Sequence, residues 1–199
     1  MRNLIVFAHP RAESFNREVL RQYCKAVQAR GHEIRVRDLY EMQFNPVLSE
    51  ADMSAARGQS NAATDVVAEQ EHVRWADVIT LISPVWWISW PAILKGWVDR
   101  VFAFNFAYGY GPNGTVGLLQ GKRAIVFSTT GSNGQHWQDS GKLESTRVSQ
   151  DVGTFAVSGI EVLEHMTISP VGRLTKAETF PVYLAGVVAL VARHFPADS

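Results

Sequence analysis

The chain has 199 residues, nineteen basic against nineteen acidic side chains, and a single cysteine, Cys24. That length suits one domain spanning residues 1–199. The balanced charge supplies no positive field for nucleic acid or an anionic membrane. One thiol excludes an internal disulfide and a multi-cysteine metal site, and it fits a reducing, cytoplasmic location. His32, His72, His165 and His194 are scattered without ligand spacing, so no metal is expected. Only Arg2 precedes the apolar run 4–8, which is too short for a signal peptide, and the apolar stretch 182–191 falls well short of the ~20 residues a membrane helix needs.

Residues 4–8 read as a buried strand, followed by a helix over 14–29 that starts at a serine N-cap and ends at Gly31. Leu20, Tyr23, Cys24 and Val27 share its apolar face, which makes Cys24 a core thiol. A second strand is expected at 33–38. Residues 39–63 form a long connection with one short helix at 49–57. A helix over 64–75 carries Val66, Val67, Gln70 and Val73 toward one face. The run 77–83, mostly β-branched or leucine and with no charge after Asp77, predicts a strand buried on both faces and stopped by Pro84. Pro91 suits the first turn of the next helix, where Ile93, Leu94, Trp97, Val98 and Val101 recur at helical spacing. An aromatic-rich connection covers 102–110. A fourth strand is expected at 123–129, a polar loop at 131–141, a helix at 147–157, a fifth strand at 161–168 and a final helix at 176–195.

Five strands alternating with five helices predict an α/β domain with a doubly wound parallel sheet and right-handed crossovers. Five strands favour the flavodoxin-like order 2-1-3-4-5, in which a ligand sits beyond the carboxyl ends of strands one, three and four. Three segments fall there. The first, residues 8–16, carries His9, Ser14 and Asn16 into a helix N-terminus whose free N–H groups suit a phosphate. It is neither a Gly-x-Gly-x-x-Gly fingerprint nor a P-loop. The second, residues 84–88, offers backbone N–H groups to the edge of a flat heterocycle, with Trp86 and Trp87 to pack on it. The competing reading for Trp86, Trp87 and Trp90 is a core cap or a subunit interface. The third, residues 128–134, is built of small residues that let backbone approach a ligand.

The chain resembles the flavodoxin-like NAD(P)H:quinone reductases of the DT-diaphorase type. Ile5-Val6-Phe7-Ala8-His9 with Ser14-Phe15-Asn16, Asp38-Leu39-Tyr40 with Phe44-Asn45-Pro46, the run from Pro91 to Arg100, Phe106-Ala107-Tyr108 and Thr129-Thr130-Gly131 carry the resemblance. It implies a flavin, FAD ahead of FMN. Ser14 with His9, Phe15 and Asn16 would hold its phosphates, and Pro84, Val85, Trp86, Trp87, Ile88, Thr129, Thr130, Gly131 and Gly134 its ring. Tyr108 and Tyr110 would line the substrate side across a homodimer. Trp97, Asp99 and Arg100 belong to the shared motif yet read as structural.

Two departures stand out. Where mammalian-type members place a tyrosine and a histidine that relay charge from the reduced flavin, this chain has Trp137 and Leu143, and Trp137 joins the substrate side. His136, one residue away, resembles a histidine of the ancillary flavoproteins of bacterial potassium-efflux systems. The implied activity is ping-pong transfer of hydride from NADH or NADPH through flavin N5 to a quinone or similar planar acceptor. Gly131 and His136 are the candidates near flavin N1 and O2, and Tyr108 the candidate beside the acceptor. The rival readings are a regulatory subunit of a potassium-efflux channel and a one-electron flavodoxin carrier. The balanced charge speaks against the carrier, which needs an acidic docking face.

Overall fold

The computed structural model describes residues 1–197, so the last two positions of the expected domain lie outside the described residues. Strands β1 (Arg2–Phe7), β2 (Glu33–Asp38), β3 (Val78–Pro84), β6 (Arg123–Thr129) and β7 (Glu161–Ile168) form a parallel sheet in the order β2-β1-β3-β6-β7. This is the flavodoxin-like order expected from the strand and helix alternation. A separate antiparallel hairpin, β4 (Tyr108–Gly111) and β5 (Gly114–Gly117), stands outside it. The sequence reading treated that stretch as connection, because four-residue strands rich in glycine carry almost no periodic signal.

Alternation along the central strands sorts their side chains into two cores. Leu4, Val6, Ile79, Leu81, Ala124 and Val126 face α3 (Thr64–Trp75) and α4 (Ala92–Val101), meeting Val73, Leu94 and Trp97. Ile5, Phe7, Ile82, Ile125 and Phe127 face α1 (Phe15–Gln28) and α7 (Thr179–His194), meeting Val19, Tyr23, Val187 and Leu190. Each large side chain so buried stabilises the fold by roughly 1.5–3 kcal/mol. Polar groups inside the second core are satisfied locally. Asn3, Tyr23 and Thr80 close a ring of hydrogen bonds at 2.7, 2.8 and 3.1 Å. Cys24 is partly buried against the same core, and burial pushes its thiol up to about 11.

Two buried ion-pair systems brace the α3 and α4 side. Arg100 bonds Asp52 of α2 (Glu50–Ala56) at 3.0 Å and Asp65 at 2.5 Å, and donates to the Asn45 carbonyl at 2.9 Å. Glu69 accepts from Arg37 at 2.6 Å and from the Trp97 indole at 2.9 Å. Trp97 and Arg100 thus hold structure, as their motif reading supposed. Val67, by contrast, is 41% exposed and leaves the α3 stripe to Val66, Gln70 and Val73.

Three element boundaries differ from expectation. The polar loop at 131–141 contains α5 (Gly134–Asp139), capped by Asn133. The helix expected at 147–157 is α6 (Lys142–Arg147) running into a π-helix (Val148–Ala156). Gln150 and Phe155 point inward at five-residue spacing, and the Val157 N–H reaches back five residues to Val152, a period that a 3.6-residue template does not detect. The last helix begins at Thr179 rather than 176.

Candidate active site

Beyond the carboxyl ends of β1, β3 and β6 lies an open cleft of about 600 Å³. Its first wall is the turn from β1 into α1. Ser14 caps α1, its hydroxyl accepting from the Arg17 N–H at 3.2 Å, and the Phe15 and Asn16 N–H groups ahead of it have no intrahelical acceptor. His9 Nδ1 lies 3.1 Å from the Arg11 amide nitrogen and 3.3 Å from the Arg11 carbonyl oxygen, which holds the ring against the turn. Burial pushes the His9 pKa below the usual imidazole value, opposed by the backbone contact at Arg11 and reinforced by the Arg11 and Arg17 charges. A histidine ring and a positive helix end therefore share this wall.

The second wall follows β3. Val85 donates to the Thr129 carbonyl at 2.8 Å, continuing the sheet past Pro84. Trp86 and Ser89 then exchange both backbone bonds at 3.0 Å, closing a two-residue turn over Trp87 and Ile88. Both central residues have positive φ, 52° and 60°. For a β-branched isoleucine this is strained backbone, of the kind found at ligand clamps. Trp86 lines the cleft, whereas Trp90 is buried beside Phe155, so the core-cap reading holds for Trp90.

The third wall follows β6. Asn16 Nδ2 donates to the Thr129 hydroxyl at 2.8 Å, tying this wall to the first. A Cβ on Gly131 would meet only the Val171 carbonyl at 3.6 Å, an ordinary contact. Packing within the protein therefore does not demand glycine, and its absence of side chain keeps the cleft open. Val171 donates to the Thr130 carbonyl at 2.8 Å and thereby brings the loop after β7 onto the site.

Of the residues expected at the cofactor, His9, Ser14, Phe15, Asn16, Pro84, Val85, Trp86, Thr129, Thr130 and Gly131 line this one cleft. Trp87, Ile88 and Gly134 do not; Trp87 is 99% exposed. His136 is exposed on α5 outside the lining, and Trp137 turns into the protein, 7% exposed, with Lys142 5.9 Å from its ring. One helical step rotates neighbouring side chains by about 100°, so these two cannot serve the same wall. Tyr108 and Tyr110 lie in a second cleft of about 430 Å³, flanking Phe104 at ring distances of 5.8 and 5.2 Å. They are not brought to the first cleft within one chain.

Val171, Gly172, Arg173 and Phe180 line the site and were not foreseen. The signal available for them was position alone, since they follow the carboxyl end of the fifth strand. A second unforeseen constellation is Ser128, His165 and Asp151. His165 Nε2 lies 2.8 Å from the Ser128 hydroxyl and its Nδ1 2.8 Å from Asp151. This matches the connectivity of a hydrolytic triad, yet Ser128 is 1% exposed and lines none of these clefts. It ties β6, β7 and the π-helix together.

The residues fit a flavin nucleotide. The Asn16 Oδ1 is buried without a hydrogen-bond partner, an acceptor suited to a polyol hydroxyl, and it sits beside the helix N-terminus that suits a phosphate.

A family model described as the flavodoxin-like fold matches residues 1–189. An uncharacterized NAD(P)H oxidoreductase of Haemophilus influenzae is 39% identical over 165 residues, 82% of this chain and 81% of its own. The human ribosyldihydronicotinamide dehydrogenase (quinone) is 34% identical over 179 residues, 80% of this chain and 78% of its own. The solved NAD(P)H:quinone oxidoreductase of Methanothermobacter marburgensis superposes with a TM-score of 0.86 at 28% identity, covering 98% of each chain. The chain therefore belongs to the flavodoxin-like fold family, among its NAD(P)H:quinone oxidoreductases.

Proposed function

We propose that the protein is a flavin-dependent NAD(P)H:quinone oxidoreductase that uses FAD ahead of FMN and works as a cytoplasmic homodimer. The observation that carries this reading is the convergence of three loops on one cleft at the carboxyl ends of β1, β3 and β6. A flavin held there would supply two-electron redox chemistry between the nicotinamide and the acceptor.

The chain supplies position and electrostatics. The α1 N-terminus and the His9 ring would hold a phosphate. The Asn16 Oδ1 would accept from the polyol. Pro84, Val85 and Trp86 would support the ring, and the backbone around Thr129 to Gly131 would offer it fixed dipoles. The homodimer rests on Tyr110, which is 77% exposed on the hairpin and in a separate cleft. It reaches substrate only if it faces the cleft of a second copy. The cytoplasmic location rests on the lone cysteine.

An absorbance spectrum of the purified protein tests this, followed by anaerobic addition of NADH or NADPH and then a benzoquinone. Yellow protein that bleaches with nucleotide and recovers with quinone supports the reductase. Flavin that stays oxidised points to a carrier or a regulatory subunit, and colourless protein that takes up no added flavin overturns the reading.

A further inference from the structure

We propose that Ser128, His165 and Asp151 form a proton store behind the third wall of the cleft, in which His165 gains a proton when a flavin in the cleft is reduced and releases it on reoxidation. This rests on the flavin reading above. Ser128 and Thr129 are consecutive in β6, so their side chains leave opposite faces of the sheet. Thr129 is bonded to Asn16 of α1 on one face and Ser128 to His165 of β7 on the other, at 2.8 Å each. The Thr129 carbonyl accepts from the Val85 N–H, and the Thr130 N–H donates to the Ile168 carbonyl at 3.1 Å. The end of β6 that lines the cleft is therefore pinned within the sheet and from both faces, and the imidazole is the ionisable group among these ties. Strand and residue spacing put it on the order of 10 Å from the Thr129 to Gly131 backbone.

Asp151 of the π-helix lies 2.8 Å from His165 Nδ1, and a carboxylate only accepts, so Nδ1 carries a proton and the charge of the ring depends on Nε2. A bare Nε2 accepts from the Ser128 hydroxyl. A protonated Nε2 donates to it instead, and the Ser128 proton then needs another acceptor. The Thr167 hydroxyl is placed for that: it is buried without a hydrogen-bond partner and pairs with Ser128 in the register of β6 with β7, on the same face. Both charge states are thus satisfied without moving backbone.

The charged groups around the ring differ by element. Asp151, its side chain 19% exposed, favours the imidazolium and links it to water. Arg147 of α6 opposes it, its guanidinium 3.4 Å from the His165 carbonyl. On this face β6 presents Ala124, Val126 and Ser128, none of them charged. Glu164 leaves the opposite face of β7, where it meets Arg193 and His194. Hydride transfer from the nicotinamide adds two electrons and one proton to the flavin, and with them one negative charge. His165 offsets that charge by drawing one proton from water past Asp151. Reduction of a quinone then consumes two electrons and two protons, one proton from the flavin and one from the imidazolium by way of water, and both groups return to their starting states. The coupling is reciprocal, so a protonated His165 also favours the reduced flavin.

The test is a pH titration of the His165 ring by NMR in flavin-loaded wild type, once oxidised and once anaerobically reduced. The proton affinity of His165 is expected to rise at least about fivefold on reduction. A second measurement follows the midpoint potential of the bound flavin against pH, in wild type and in His165→Gln, with circular dichroism to confirm folding. The wild-type potential is expected to fall more steeply over about one pH unit, because one more group takes up a proton with the electrons. A proton affinity equal in the two redox states, or the same dependence of potential on pH in wild type and folded His165→Gln, overturns the proton store and leaves the flavin reading standing. If His165→Gln fails to fold, the wild-type titration decides alone. A folded wild type that takes up neither FAD nor FMN overturns the flavin reading itself.

Discussion

The Asn16 amide nitrogen lies 2.8 Å from the Thr129 hydroxyl, with both side chains buried and the residues 113 positions apart. This bond joins the phosphate wall of the cleft to its ring wall. It also aims the unpartnered Asn16 oxygen by fixing the amide's orientation.

Thr129→Val keeps the shape of the side chain but strands the Asn16 donor. The expected cost is about 1–3 kcal/mol of stability in the flavin-free protein, read by denaturant unfolding. Flavin affinity should fall with it, because the amide is then free to rotate. Unchanged stability and unchanged affinity together would mean that the bond positions nothing.

Arg100→Met removes a cation that is 5% exposed and leaves Asp52 buried without its partner. Breaking such a pair from one side costs roughly 3–5 kcal/mol. Thermal unfolding should show a large drop, and a variant melting within a degree or two of wild type would contradict the assigned brace.

The same cluster governs acid stability. The Arg100 hydrogen bond holds Asp65 below the ordinary carboxylate range. At Asp52 burial acts upward, but hydrogen bonds from Arg100 and Ser49 outweigh it and the net shift is again down. Depressed carboxylates contribute stability above their unfolded values and lose it as pH falls through their folded ones. Stability should therefore decline below the ordinary carboxylate range, and Asp65→Asn should make that decline shallower in unfolding measured against pH. An acid limb identical to wild type would remove Asp65 from the account.

Gly96 in α4 packs under the connection at Pro46. A Cβ there would lie 2.1 Å from the Pro46 carbonyl oxygen and 2.4 Å from its Cβ. Gly96→Ala gains about 1 kcal/mol of helix propensity, but forces backbone apart at a typical cost of 1–3 kcal/mol or more. Net destabilisation is the expected outcome in a denaturant series; stabilisation would show that the Pro46 connection yields easily.

Ile88 holds a φ of 60° in the turn beside Trp87. Ile88→Gly should relieve strain of order 1–2 kcal/mol and raise the melting temperature of the flavin-free protein. Turnover with quinone should fall, because the turn is then no longer held in one shape. A variant that gains stability and keeps full turnover would show the strain to be incidental.

Composition and periodicity established a great deal. Short apolar, largely β-branched runs such as residues 77–83 suit buried strands, and their alternation with amphipathic helices admits few topologies, so the sheet order was legible. The phosphate wall was legible too, because a serine N-cap after a strand is a local signal. Tertiary structure alone decided what crosses the chain. The bond from Asn16 to Thr129, the approach of Val171 to Thr130 and the arrival of Arg173 and Phe180 at the cleft join segments that no local period relates. It also decided the facing of single residues. His136 and Trp137 are neighbours in sequence, yet one meets solvent and the other the interior, because a helical step turns by about 100° and the register of a short helix is set by packing rather than by its own six residues.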